Sequence, residues 1–412
     1  MIDAAAYALL GWALAVAAVS GVALFRARHT MRRPQPSRPS QPCQPPSTRE
    51  PILVVRPCAG DEPHLERTLA SVLHARSDCP ITVRFVVHDT EDASLPIARR
   101  VCRHLAAGGI EADVVVAFPE ENARRAQRRA ERTAVNRKVV QLAAALEGDR
   151  HGVIVVADSD VDLDGLSLTS LVDALGPEVA AAWAPPVELG AGRGIADRAS
   201  AAVLGGSLHA FPLLAGLDPG GMVGKLFVVG RGPLEEIGGF GVLAGYLGED
   251  MELARRLRAR GHHVRPASIL APSMACGRRF SDVIVRYARW ITVIRAQRAG
   301  LMISYPALFF ATPLIVALSA AVAIQAPAIA LFAGSLAIVA RLAVALGAAR
   351  ASGRPVGLGT AALDAVMADV VMALAFVRAA WSRKVIWRGH ELTIGRGGLL
   401  GGALDPTSRE AA

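Results

Sequence analysis

The residues of this chain with the types and spacing to do chemistry are carboxylates that follow apolar runs. Val153 to Asp164 reads VIVVADSDVDLD. A β-branched run that breaks into alternating aspartates reads as a buried strand ending in an acidic turn. Asp158 and Asp160 stand one residue apart, so at the mouth of a strand one can face a ligand while the other holds a divalent cation through oxygen. Solvated acidic turns after strands are common, so the pair takes its weight from its company. Glu249 and Asp250 follow a glycine-rich loop and open a helix expected over Met251 to Arg260. An acidic pair there suits the helix dipole, and a flexible loop before a carboxylate is also what a catalytic base on a closing lid needs. In RYARW, the spacing sets Arg286 and Arg289 on one helix face, where two guanidiniums could clamp a diphosphate while Trp290 stacks or seats at a membrane interface. A basic helix on anionic lipid gives the same pattern, and the two readings are compatible.

These side chains need a scaffold. From Pro51 onward strands and helices alternate: strands at Ile52–Val55, Val83–Val87, Ala112–Val116 and the Val153 stretch, and helices that carry Leu65, Leu69, Val72 and Leu73 on one face or run from Ile97 to Leu105. Such alternation predicts a mostly parallel sheet covered by helices on both faces, with ligands bound at the carboxyl ends of its strands. Asp61, Asp89, Asp92, Asp158 and Asp160 all follow strands, so a nucleotide site is expected there. A later strand, Leu226–Val229, leads into a helix closed by Gly238–Gly239. The arginine run from Arg124 reads as a solvated helix face. Asn136 and Lys138, directly before the apolar helix Val139–Leu146, are better placed to reach a substrate.

Among the 412 residues, 52% are hydrophobic, and the excess lies at the two ends. That pattern, with a mean hydropathy of +0.36, implies a membrane-anchored chain with a soluble centre. The net charge of +9 is carried mostly by arginine. No basic patch is interleaved with stacking aromatics, which argues against nucleic acid and leaves anionic lipid and a phosphorylated substrate. Five scattered cysteines have neither metal nor redox spacing and fit free thiols in a reducing compartment.

Ala4–Phe25 is long enough to span a bilayer, and Arg26, Arg28, Arg32 and Arg33 set the downstream residues in the cytoplasm. Pro34–Glu50 is a Pro-rich linker. Tyr305–Ile324 and Ala326–Leu346 form a spanning hairpin turned at Gln325. Ala361–Trp381 carries Asp364 and Asp369, costly at a bilayer centre, and is expected to be interfacial or re-entrant. The expected division is an anchor over 1–27, a linker over 28–50, an α/β domain over 51–280, an interfacial helix over 281–300, a transmembrane hairpin over 301–349, and a re-entrant or interfacial helix with a cytoplasmic tail over 350–412.

With these pieces in order, the chain resembles the ceramide glucosyltransferase family and its bacterial hopanoid-associated relatives. The resemblance covers nearly everything from Pro51, through RPCAGDE (Arg56–Glu62), HDTEDAS (His88–Ser94), NRK (Asn136–Lys138), ADSD (Ala157–Asp160), GYLGED (Gly245–Asp250), RYARW and VIWRGHEL (Val385–Leu392). It implies a GT-A fold, a Rossmann-like domain for nucleotide-diphospho-sugars, with transmembrane helices at both ends. By the same resemblance Asp92 serves the uridine nucleotide, Asp158 and Asp160 the cation and sugar nucleotide, and Asp250 is the general base. Arg286, Arg289 and Trp290 match the signature near the diphosphate, and Lys138 falls in the matching donor-side NRK stretch. The chain departs from the family at Cys58-Ala59-Gly60, where a Lys-Pro-Leu type of turn is usual, and at Arg137, where Pro is usual.

The expected activity is inverting transfer of a hexose from a UDP-sugar, UDP-glucose first, to a lipid hydroxyl, with Mg2+ or Mn2+ as cofactor and ceramide as leading acceptor. Hopanoid, sterol and diacylglycerol acceptors stay open. A polysaccharide synthase would need more spans, and a decayed scaffold would have lost some of these carboxylates. High Ala and Arg content fits a bacterium with GC-rich DNA, so the bacterial inner membrane is expected ahead of a eukaryotic internal one, with the catalytic domain cytoplasmic.

Overall fold

The computed structural model describes residues 2–32, 50–118, 135–188, 194–382, 384–387 and 390–401. The Pro-rich linker, apart from Glu50, and the early arginines from Arg124 to Arg132 lie outside them. The chain forms two compact units. One comprises Arg32–Pro186, Pro219–Ala275 and Leu392–Ala412, the other Met1–Met31, Val187–Asp218 and Cys276–Glu391. The stretch 51–280 is therefore not one continuous domain, because Val187–Asp218 leaves it to join the apolar helices.

The first unit is α/β. The seven strands of its main sheet are β1 (Ile52–Pro57), β2 (Ile81–Asp89), β3 (Glu111–Phe118), β4 (Val153–Ala157), β5 (Val179–Trp183), β6 (Leu226–Gly230) and β7 (His263–Pro266). They lie in the order β3-β2-β1-β4-β6-β5-β7. All neighbours are parallel except β6, which runs antiparallel to both β4 and β5. The central strands read as unbroken apolar runs because helices cover both faces of such a sheet. Ile52, Val54, Val155 and Val228 are fully buried, and each such side chain contributes about 1.5–3 kcal/mol by leaving water. The helix Ser94–Ala107 turns Leu95, Ala98, Val101 and Leu105 inward at helical spacing. The expected α/β fold class, with a mostly parallel sheet, is the one observed. The carboxyl ends of β1, β2 and β4 open on one edge of the sheet, where β6 begins.

The C-terminal residues return to this unit. Leu400 N donates to Gly245 O at 2.8 Å and Leu247 N to Gly398 O at 3.4 Å, so residues 398–400 lie along the loop that carries Glu249 and Asp250.

The second unit is helical. Among the described residues, four helices are long and apolar enough to cross a membrane: Ala4–Thr30, Ile195–Leu217, Pro327–Ala351 and Leu358–Trp381. The bent pair Ala299–Phe309 and Ala311–Val322, angled by 57°, makes a fifth if counted as one span. Residues 361–381, expected to be re-entrant or interfacial, lie in one continuous helix of 24 residues, Leu358–Trp381. The reason for that expectation was two costly carboxylates, and both are paired. Arg341 meets Asp369 at 2.9 Å and donates to Gly206 O and Ala365 O, while Asp364 lies 3.3 Å from Arg354 and 3.5 Å from Arg198. Buried charges that neutralise one another can sit in an apolar helix.

Candidate active site

The D-S-D turn is built from beneath. Arg56, at the end of β1, is fully buried, and its Nη2 donates to the carbonyls of Asp158 (2.9 Å), Ser159 (3.3 Å) and Val161 (2.7 Å). Its Nη1 donates to Thr68 O at 2.7 Å, and Thr68 Oγ1 donates to Ser159 O at 2.6 Å. Burial pulls the guanidinium pKa down to about 10, so it stays charged at neutral pH. Ser159 Oγ donates to Glu62 Oε2 at 2.5 Å. With its backbone held this way, the turn can aim Asp158 and Asp160 outward.

Asp158 meets a lysine. Lys138 Nζ lies 2.7 Å from Asp158 Oδ1 and 3.3 Å from Glu249 Oε1, and donates to Gly224 O at 2.7 Å. Burial works against this ammonium, but Asp158 and Glu249 outweigh it and hold its pKa above the ordinary lysine range. Asn136 is fully buried. It caps the helix Arg137–Ala145, its Oδ1 accepting from Lys138 N and Val139 N, while its Nδ2 donates to Tyr246 O and Glu249 Oε2. The cap thus ties Lys138 to the loop carrying the acidic pair.

Asp250 is the second residue of the helix Glu249–Ala259. Its Oδ2 accepts from Gly224 N at 2.8 Å and its Oδ1 from Met251 N at 2.8 Å. Burial, then the neighbouring Glu249 charge, pushes its pKa up to about 6, against the pull of Lys138 and the two amides. A carboxylate poised there is ionised at neutral pH yet basic enough to take a proton.

Asp160 pairs with the other lysine of the site, Lys225. Ser273 Oγ donates to Asp160 Oδ2 at 2.9 Å. Among the described residues no group of three His, Cys, Asp or Glu side chains could hold a metal ion. Two carboxylates plus phosphate oxygens are nevertheless a normal set for a hard divalent cation, so Asp158 and Asp160 fit one that arrives with a diphosphate.

Asp92 lies after β2. Its Oδ1 accepts from Gly60 N (2.8 Å), Ser94 N (2.9 Å) and Ser94 Oγ (2.7 Å), which fastens the turn after β1 to the start of the next helix. Asp89 Oδ1 accepts from Glu91 N and shapes the same loop.

Arg286, Arg289 and Trp290 belong to the helical unit, on the helix Phe280–Gln297. Arg286 has an acidic partner there that sequence spacing did not reveal. It forms an ion pair with buried Glu188, which also meets Arg278 at 3.1 Å, and its guanidinium stacks 4.8 Å from the Trp290 ring centroid. Burial opposes the Glu188 charge, but Arg286 and Arg278 prevail and hold its carboxyl below the ordinary range.

The sequence model of glycosyl transferase family 21 matches residues 12–400, nearly the whole chain. The chain belongs to glycosyl transferase family 21. A comparison with curated proteins gives no match. Among solved structures it is similar to a mannosyltransferase from Pyrobaculum calidifontis in complex with GDP-Man and Mn2+, at 18% identity over 92% of this chain and 99% of that one, with a TM-score of 0.45. It is also similar to glucosyl-3-phosphoglycerate synthase from Mycobacterium tuberculosis in complex with Mg2+ and UDP, at 16% identity over 61% and 80% of the two chains, with a TM-score of 0.36.

In this family 21 glycosyltransferase, the α/β unit brings together Lys138, Asp158, Asp160 and Asp250 at the edge where a nucleotide-sugar donor was expected. Three residues there were missed by sequence reading. Arg56 left a signal, a charge at the end of an apolar strand. Lys225 left another, a lysine in an arginine-rich chain. Gly224 left none, because its need to be small arises only from what packs on it.

Proposed function

We propose that this family 21 glycosyltransferase moves glucose from UDP-glucose to the hydroxyl of a membrane lipid, ceramide first, with inversion at the anomeric carbon. The observation that carries the reading is Asp250, a partly buried carboxylate with a pKa of about 6, joined through Lys138 to the first aspartate of the D-x-D turn. Each Asp250 oxygen accepts one backbone amide and keeps a lone pair for an incoming hydroxyl. Asp250 takes the acceptor proton as the hydroxyl attacks, and the diphosphate leaves from the opposite face of the sugar, so one displacement inverts the centre. Asp158 and Asp160 would hold a divalent cation, Mg2+ or Mn2+, which when bound supplies charge neutralisation at the leaving oxygen. Lys138 keeps its ammonium between Asp158 and Glu249 and limits the repulsion that Glu249 exerts on Asp250. Asp92 serves the uridine side of the donor, and Arg286, Arg289 and Trp290 the diphosphate and acceptor side. The apolar helices hold the chain in a bilayer, the bacterial inner membrane in this reading, with the α/β unit cytoplasmic and the lipid acceptor arriving laterally.

The test is UDP release from UDP-glucose by membranes containing the chain, with and without ceramide, for wild type and Asp250→Asn. Ceramide-dependent turnover that falls about 100- to 10,000-fold in the variant is expected of a lost general base. Turnover indifferent to the substitution would remove Asp250 from the chemistry, whereas turnover with total lipid but not ceramide would change the acceptor alone.

A further inference from the structure

We infer that Lys225 is a donor-site residue that covers Asp160 in the unloaded chain and turns to the diphosphate on loading, so that nucleotide and cation bind cooperatively. The inference rests on the nucleotide-sugar reading above and assigns a role to a residue that reading does not use.

Composition points to Lys225 first. Of the 45 Lys and Arg residues only three are lysines, Lys138, Lys225 and Lys384, and two of these meet the two aspartates of the D-S-D turn. In a chain that otherwise uses arginine, a lysine at each aspartate asks for a chemical reason. A guanidinium fork grips a carboxylate bidentately, whereas an ammonium is a compact charge on a flexible stem that can change partners.

Geometry gives that reason. Asp158 N donates to Lys225 O at 2.8 Å, and Ala157 pairs with Leu226 across β4 and β6, so the Lys225 backbone stands opposite the turn. Its ammonium pairs with Asp160 Oδ2 and lies 3.4 Å from Ser273 Oγ, which bonds the same carboxylate oxygen. Lys138 is pinned on several sides, by Asp158, Glu249 and Gly224 O. The partners of Lys225 both belong to the ground that a cation would claim, so Lys225 is the group that moves.

Charge sets the consequence. In the unloaded chain each aspartate is neutralised by one ammonium. A divalent cation arriving alone must displace Lys225 from Asp160 and then sit beside two ammonium groups, which repel it. A nucleoside diphosphate removes that conflict, because its oxygens accept from the displaced ammonium. Each ligand therefore strengthens the other, and linkage requires the same factor in both directions.

Calorimetry on the purified full chain in detergent, with Mn2+ and UDP as probes, reads this without turnover. In wild type UDP should tighten Mn2+ binding by about 5- to 150-fold, and Mn2+ should tighten UDP equally. Lys225→Met should bind Mn2+ alone more tightly than wild type, with the coupling factor falling below the wild-type value to the part that direct cation–phosphate contact supplies. Lys225→Arg retains the charge and, by its bidentate grip on Asp160, should bind Mn2+ alone less tightly. Wild-type values of both Mn2+ affinity and coupling in Lys225→Met would overturn the inference while leaving the donor site intact. A wild-type chain that binds neither probe would overturn the donor-site reading and this inference with it.

Discussion

Gly224 N donates to Asp250 Oδ2 at 2.8 Å, and a Cβ added to Gly224 would stand 3.1 Å from Asp250 Cβ and 3.4 Å from both Asp250 Oδ2 and Lys138 Nζ. The glycine is what lets Asp250 and Lys138 share one small space. Gly224→Ala must push Asp250 by a few tenths of an ångström. Misplacement of a reacting group is costly, so kcat should fall by about 10- to 100-fold with the fold retained. Steady-state kinetics beside a melting curve separate the two effects.

The raised pKa of Asp250 makes two pH predictions with one origin. Activity should rise with pH along a limb centred at about 6, as the base ionises. Stability runs the other way. The folded carboxyl holds its proton to higher pH than the unfolded one, whose ordinary value is 3.8, so its contribution is present below that value and is lost as pH rises through about 6. Asp250→Asn should therefore melt higher than wild type at pH 7.5, with the gap closing toward pH 4. An equal gap at both pH values would count against the raised pKa.

Arg56 donates to three backbone carbonyls of the D-S-D turn and to Thr68 O beneath it. Arg56→Met leaves those acceptors buried without their donor, at a cost of about 3 kcal/mol or more. For a unit of this size that is a fall of roughly 6–12 °C in melting temperature. Thr68→Val removes one bond to the same turn and should weaken Mn2+ binding in the presence of UDP with a smaller loss of stability. Thermal denaturation and calorimetry read the two changes.

Arg341 and Asp369 pair between two long apolar helices. Removing one partner strands the other, so Arg341→Met or Asp369→Leu should each destabilise by about 3–5 kcal/mol, and the double variant should recover most of that loss. A double-mutant cycle in detergent melts checks the non-additivity.

The bonds of Leu400 and Leu247 to opposite segments give a simpler test. A chain ending at Glu391 keeps every long apolar helix but loses the segment that lies along the base loop. It should insert into membranes as the full chain does and lose most of its turnover, by about 10-fold or more if the loop shifts as far as a misplaced catalytic group requires. Wild-type turnover in the shortened chain would show that the segment is dispensable.

Much of this protein is local in origin. The β-branched runs at Ile52, Val83 and Val153 determine strands because apolar side chains on both faces suit only a sheet covered on both sides. The aspartates after them gather at one edge of the sheet because polar groups collect where buried strands end. The long apolar runs at either end are equally legible, since a bilayer demands length and hydrophobicity that any window reveals. Long-range pairing decided the rest. Nothing near Lys225 in sequence says that Asp160 will face it, nothing near Arg56 predicts three carbonyls of a turn more than a hundred positions away, and nothing around Glu188 names Arg286. Asp364 and Asp369 look intolerable in an apolar helix until Arg354, Arg198 and Arg341 are brought to them. Charges are judged by their partners, and partners distant in sequence become neighbours only once the chain has folded.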